Sequence, residues 1–231
     1  MDISTHIVFE DNHLLAVNKV AGVPSQADNT GDPCLVDYAK EYIKTKYQKP
    51  GNVFCGLIHR IDRPVSGIVV LAKTSKALAR MNELFKQRAI QKTYWAIVTK
   101  KPSMEEGTLV HWLWRNPKNN VTKAFDKERK DTQLAELSYR IMVQEGGYFL
   151  LEVKPITGRT HQIRSQLSAI GSPIVGDIKY GYPEPNPDRS IHLHAYSLGF
   201  EHPTRGEKMT LYADLPIEPT WKRIQNRMQY I

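Results

Sequence analysis

The sequence predicts an α+β domain with a mixed, largely antiparallel central sheet flanked by helices. Three observations carry that expectation. Short runs of β-branched and apolar residues are punctuated by hairpin-type turns, at 7–17 and again at 136–153. Amphipathic segments at helical spacing stand between them, at 33–47, after Thr74 and after Thr160. No internal repeat, low-complexity linker or clean boundary interrupts the 231 residues, so one domain covering 1–231 is expected.

Taken in order, Ile7–Val17 reads as a strand pair around an Asp11-Asn12 turn. Asp32-Pro33 supplies a helix cap and a first-turn proline, and Leu35, Ala39, Tyr42 and Ile43 follow at helical spacing. Gly67–Lys73 is a buried strand, and Thr74 or Ser75 caps a helix that carries Leu78, Met81 and Phe85 on one face. Thr93–Val98 is a further strand. The stretch 101–133 is polar, with many lysines, and is expected to contain a mobile excursion. Strands resume at Glu136–Val143 and Tyr148–Val153, with Gln144-Glu145-Gly146-Gly147 as their turn. Thr160 opens a helix that Gly171 closes. Strand-like segments at His192–Phe200 and Met209–Ala213 precede a short helix after Pro219.

Composition narrows the functional classes. Hydrophobic residues make up 41% and charged residues 24%, ordinary for a folded globular chain. The first residues, MDISTHIVFEDN, lack the basic and apolar regions of a signal peptide, and no apolar run is long enough to span a bilayer. Cys34 and Cys55 lack metal-type or redox-type spacing, so a reducing compartment, the cytoplasm, is expected. Net charge is +8, and its distribution is uneven. Residues 59–100 hold nine basic side chains against Asp62 and Glu83 alone, whereas 1–58 is net acidic. A polyanionic partner and a merely solvated basic face both fit such a segment.

Two local clusters carry candidate chemistry. In His59-Arg60-Ile61-Asp62-Arg63-Pro64-Val65-Ser66-Gly67 a carboxylate lies between two guanidinium groups just before a buried strand. Neighbouring cations favour its ionised form, which suits a nucleophile or electrostatic stabiliser better than a general acid. A surface ion pair in a loop is the alternative. The second cluster, Thr157-Gly158-Arg159-Thr160-His161-Gln162-Ile163-Arg164, gathers donors around a helix start, where backbone amides favour an anion. It could bind phosphate, hold a catalytic carboxylate or bridge surface acids.

The first cluster with its following strand resembles the catalytic signature of the RluA-type pseudouridine synthases. Lys92-Thr93-Tyr94-Trp95-Ala96 is similar to that family's second motif. Lys154–Arg164, continuing to Gly171-Ser172-Pro173-Ile174-Val175-Gly176-Asp177, resembles the third, and Glu10–Lys19 matches the opening strands. Val20 and Val65 depart from the proline and threonine common there. The likeness runs almost the whole chain in the family's order, and a catalytic domain alone is expected, without the small basic N-terminal RNA-binding domain of many relatives.

The resemblance implies a pseudouridine synthase fold and an RNA-modifying isomerase without cofactor or metal. It implies Asp62 as the catalytic aspartate, Tyr94 as the tyrosine stacked on the target base, and Arg164 as the aspartate's basic partner. It implies substrate contacts by Arg60, with His59, Arg63, Arg159, His161 and Gln162 beside it. The expected partner is a structured ribosomal or transfer RNA stem-loop, with no membrane, and a monomer is the plain expectation. A base stacked in a helix is inaccessible, so a cationic, aromatic-lined pocket that draws it out agrees with this chemistry.

Other readings use the same residues. His192 and His194 share a strand face, as metal ligands sometimes do, but no carboxylate or cysteine falls at supporting spacing, and structural histidines are expected. Trp112 and Trp114 also share a face, either packing or stacking on RNA. A glycoside hydrolase would need a second placed acid, and 59–100 offers only Glu83.

Overall fold

The computed structural model describes residues 2–228, which form two compact units. The first takes in the chain up to Lys92 together with Ala195–Asp214; the second takes in Thr93–His194 and the chain from Leu215. The architecture is α+β, and the strand ladders described below are antiparallel.

In the first unit β1 (Ile7–Glu10) pairs with β2 (Leu14–Lys19), closing the expected hairpin around Asp11, whose Oδ1 accepts from the His13 and Leu14 amides. Helix α1 (Leu35–Lys46) buries Leu35, Ala39 and Ile43, the i, i+4, i+8 stripe of an amphipathic helix. Its cap is Cys34 and not Asp32: Asp37 Oδ2 accepts from the Cys34 amide at 2.9 Å. Asp32 is drawn instead to Arg63. After β3 (Gly56–Leu57), β4 (Ser66–Ala72) is buried along all seven residues, with β2 on one side and β3 on the other. Thr74 caps α2 (Ser75–Lys86) by accepting from the Ala77 amide at 3.2 Å, as expected, and Ala77 and Met81 are buried beneath it. The carboxylate of Glu10 ties α1 to this sheet by binding Lys46, Lys73, Tyr42 and Tyr47; burial opposes its charge, but these donors hold its carboxyl at about 2.

Strand β5 (Gln91–Val98) enters the second unit at Thr93. There the strand order is β5, β9 (Tyr148–Pro155), β8 (Gln133–Glu145), β6 (Glu106–Asn116) and β7 (Val121–Phe125). The segment 101–133 is therefore built around a β-hairpin rather than an excursion. Its lysines sit at the turn and on the solvent side, while Leu113, His111 and Ala135 alternate inward. Helix α3 (Gln162–Ala169) covers this inward face; its Gln166 Nε2 lies 3.0 Å from Leu109 O and 3.1 Å from His111 Nδ1. It starts after His161, which takes a left-handed conformation, and not at Thr160. Strand β10 (Leu193–Glu201) leads back into the first unit and pairs there with β11 (Lys208–Tyr212); α4 (Pro219–Met228) follows in the second. Among the described residues no helix is long and apolar enough to cross a membrane.

Gly67 opens β4 at φ +116°, and a Cβ there would stand 2.5 Å from the Ala195 amide nitrogen and inside contact of its carbonyl. Gly171, at φ +79°, has open space around it. Gly67→Ala is therefore expected to lower the free energy of unfolding by ~3 kcal/mol or more, and Gly171→Ala by ~1 kcal/mol, in urea titrations of the two variants. Equal losses would contradict the role assigned to the β4–β10 approach.

Candidate active site

Each cluster singled out in the sequence is held by its own scaffold. Asp62 lies in the loop between β3 and β4, where its carbonyl accepts from the Val65 amide at 3.0 Å and closes a turn through Arg63-Pro64. The backbone on both sides of it is fixed. Ser25 Oγ donates to Ile61 O at 2.7 Å and accepts from Ile61 N at 3.3 Å. The Arg63 carbonyl accepts from Gly22 N at 2.8 Å and from Lys19 Nζ at 3.3 Å.

The Arg63 guanidinium binds Gly22 O and Thr30 and pairs with Asp28 and Asp32, so it pins the 28–32 loop. Arg60, by contrast, is exposed. His59 faces inward: Nε2 accepts from the Val70 amide at 3.0 Å and the ring stacks on Phe85 at 5.1 Å. Burial, with Lys92 nearby, pushes its pKa down to about 4, which keeps the ring neutral and able to accept.

Lys19 is the residue sequence reasoning missed here. Its ammonium is fully buried at the end of β2 and also donates to Val20 O at 3.0 Å and Val23 O at 2.8 Å. Burial pushes its pKa down to about 7, while the charge on Asp62 opposes that fall and Arg63 adds to it. Only a lone lysine ending an apolar strand, Leu14–Lys19, marked it in the sequence.

In the second unit Tyr94 lies on β5 opposite Val153, which is opposite Tyr139 on β8. Side chains at directly opposed positions share a face. By this register Tyr94 stands on the face that α3 covers. Arg164, on α3, is 4% exposed. Asp177 receives its guanidinium in a fork, Nε to Oδ2 at 2.7 Å and Nη2 to Oδ1 at 2.8 Å, and the Tyr180 ring lies 4.8 Å beneath its carbon. Tyr180 OH accepts from Thr122 N at 2.8 Å and lies 2.7 Å from His161 Nδ1.

Gln162 is buried and engaged on every side: Oε1 accepts from Thr157 Oγ1 and Arg159 N, and Nε2 donates to Glu136 O. Arg159 is exposed, with Nε on Leu134 O at 3.2 Å. Asp177 and Tyr180 are the supporting residues that sequence reasoning left without a role. His192 sits 3.2 Å from Glu218, and His192 and His194 both meet Trp221 edge-on, a packed aromatic cluster. Among the described residues no group of three or more His, Cys, Asp or Glu is placed to hold a metal ion.

Two outcomes test these supports. Asp177→Ala leaves a buried guanidinium short of its carboxylate and is expected to cost ~3–5 kcal/mol in chemical denaturation. A loss typical of a surface pair would sink the assignment. For Lys19 the sign follows from burial. Between about 7 and its ordinary 10.5 the unfolded chain binds more protons at this residue than the folded one. Its burial cost is thus full below that window and fades as pH rises through it. Measured between pH 7 and 9.5, the wild type should gain stability relative to Lys19→Met; a flat difference would refute the buried, easily deprotonated amine.

A family model described as RNA pseudouridylate synthase matches residues 13–169. "Ribosomal large subunit pseudouridine synthase C" of Rickettsia felis is 31% identical over 95% of this chain and 70% of its own length. "Ribosomal large subunit pseudouridine synthase D" of Zymomonas mobilis is 35% identical over 93% of this chain and 70% of its own. The structure of human RNA Pseudouridylate Synthase Domain Containing 4 superposes with a TM-score of 0.79 at 24% identity, covering 98% of this chain and 94% of that one, and so shares the fold. That of human RNA Pseudouridylate Synthase Domain Containing 1 gives 0.74 at 25% identity, over 94% and 85%. The folded scaffold around the matched motifs and these likenesses agree: the chain belongs to the RNA pseudouridine synthase family, enzymes that isomerise uridine within RNA.

Proposed function

We propose that this enzyme isomerises one or a few uridines of structured ribosomal RNA, with Asp62 as nucleophile and both units acting as one catalytic domain. The observation that carries the reading is the clamp on Asp62: backbone bonds on Ile61 and Arg63 fix the loop that presents its carboxylate. The names of the Rickettsia felis and Zymomonas mobilis relatives, both ribosomal large subunit enzymes, support the RNA class. A monomer working in the cytoplasm completes the proposal.

The chemistry is an isomerisation with no net gain or loss of atoms. The Asp62 carboxylate attacks the ribose C1′, or stabilises charge there, as the bond from C1′ to uracil N1 breaks and its electron pair leaves with the base. The uracil turns and its C5 bonds to C1′, and where an ester to Asp62 has formed its C1′–oxygen bond breaks and returns the electron pair to the carboxylate. The C5 proton then departs to a base, and N1 takes up a proton. Tyr94 stacks on the turned base and assists at C5. Arg164 favours the ionised carboxylate, and Asp177 and Tyr180 orient that guanidinium. Arg60, exposed beside the nucleophile in sequence, helps the uridine leave its stack, and Arg159 and His161 serve the phosphate backbone.

Tritium release from C5-labelled uridine tests this directly. Wild-type enzyme should release tritium from ribosomal RNA, and Asp62→Asn should release none detectable while melting at the same temperature. Full release by Asp62→Asn would remove the nucleophile assignment. Release from transfer RNA alone would move the substrate class.

A further inference from the structure

The outer face of the second unit's sheet, opposite to the one α3 covers, carries an aromatic row that no part of the proposed chemistry uses. Trp112 on β6 is opposed by Phe125 on β7 and by Leu134 on β8, so the three side chains form one row on one face. Trp114 lies next along β6, opposite Lys123, and Val110 lies next the other way. Val110 is 51% exposed and Leu134 40%, while Trp112, Trp114 and Phe125 are half-buried. On the inward face of the same strands His111, Leu113, Ala135 and Leu137 are buried.

Cations rim this row. The Arg129 guanidinium carbon stands 3.9 Å over the Phe125 ring, Lys123 is exposed beside Trp114, and Arg159 reaches the Leu134 carbonyl. Between Arg115 and Asp131 six cations accompany three carboxylates. Flat aromatic faces interleaved with guanidinium and ammonium groups match the chemistry of unpaired nucleotides: bases stack on the rings and phosphates meet the cations. A purely apolar partner would leave those charges desolvated and unpaired.

We infer that the Trp112–Phe125–Leu134 row, with Trp114 and its rim of Lys123 and Arg129, is a stacking surface for a single-stranded segment of the RNA substrate. The inference rests on the reading of this chain as an enzyme acting on RNA. It assigns to this surface binding energy that is the same in ground and transition states, and so a contribution to KM with none to kcat.

The test uses the full chain, a fluorescent ten-nucleotide oligouridylate, and ribosomal RNA as substrate. Trp112→Leu keeps an apolar side chain and removes the π-face; Trp112→Tyr restores one. Melting temperatures confirm that both variants fold. Trp112→Leu is expected to bind the oligonucleotide about tenfold more weakly, and Trp112→Tyr to recover most of that loss. With ribosomal RNA, KM should rise about as much in Trp112→Leu while kcat stays unchanged. Equal binding by wild type and Trp112→Leu, no binding by wild type, or a fall in kcat alone would overturn the inference. So would a wild-type dimer in sedimentation that Trp112→Leu dissociates, since a second copy would then cover the face. Pseudouridine formation by wild type in the same assay separates the two failures: activity without the Trp112 effect rejects only the stacking surface.

Discussion

A guanidinium cannot lose its proton at any pH a protein meets, so burying one obliges the fold to supply a carboxylate and hold it in place. Arg164 imposes that obligation on the second unit. Asp177 answers it with a planar fork, and the Tyr180 ring lies 4.8 Å from the guanidinium carbon. Helix α3, at eight residues, is far too short to be stable by itself. Its position comes from buried Ile163 and Leu167 together with polar side chains: Gln162 binds the 157–159 loop and Glu136, and Gln166 binds β6 and β8. Removing one member of a bonded pair costs its own partner a buried bond, which couples the two energetically.

The loop bearing Asp62 is governed by the same economy of backbone groups. Its flanking carbonyls and amides are bonded to Ser25, Gly22 and Lys19, so little freedom remains where the carboxylate is displayed. His59 is part of that scaffold, since a ring that accepts from the β4 backbone cannot swing toward a ligand without leaving the Val70 amide unpaired. Arg63 likewise fixes the 28–32 loop through Asp28, Thr30 and Asp32. Several residues grouped by sequence motif thus differ in kind: some are presented, and some hold the presenting loop.

The legible part of the fold is the part whose signal is local. Strand β4, the Thr74 cap and the turn between β8 and β9 follow from composition and spacing over a few residues. Misreadings arose where a distant partner decided. Asp32 has the chemistry of a helix cap but pairs with Arg63, thirty-one positions away, leaving Cys34 to start α1. Thr160 gives its carbonyl to Thr122 Oγ1, and the helix begins after His161. In 101–133 a high density of lysines masked a period-two pattern, visible once Leu113 and His111 are seen to point inward. Ordered motifs single out Asp62, Tyr94 and Arg164 as candidates, whereas Lys19, Asp177 and Tyr180 act through contacts that spacing does not encode.

The period of two on β6 has a further consequence for how such an enzyme can change. Successive residues from Leu109 to Trp114 alternate between the face that α3 covers and the face open to solvent. Substitutions at Val110, Trp112 or Trp114 alter what the outer surface can bind while leaving the packing under α3 unchanged. Substitutions at His111 or Leu113 disturb the support of Gln166 and, through α3, of Arg164. One strand therefore separates two kinds of selection: the inner set is constrained by close packing and buried hydrogen bonds, and the outer set is free to follow the shape and sequence of the RNA.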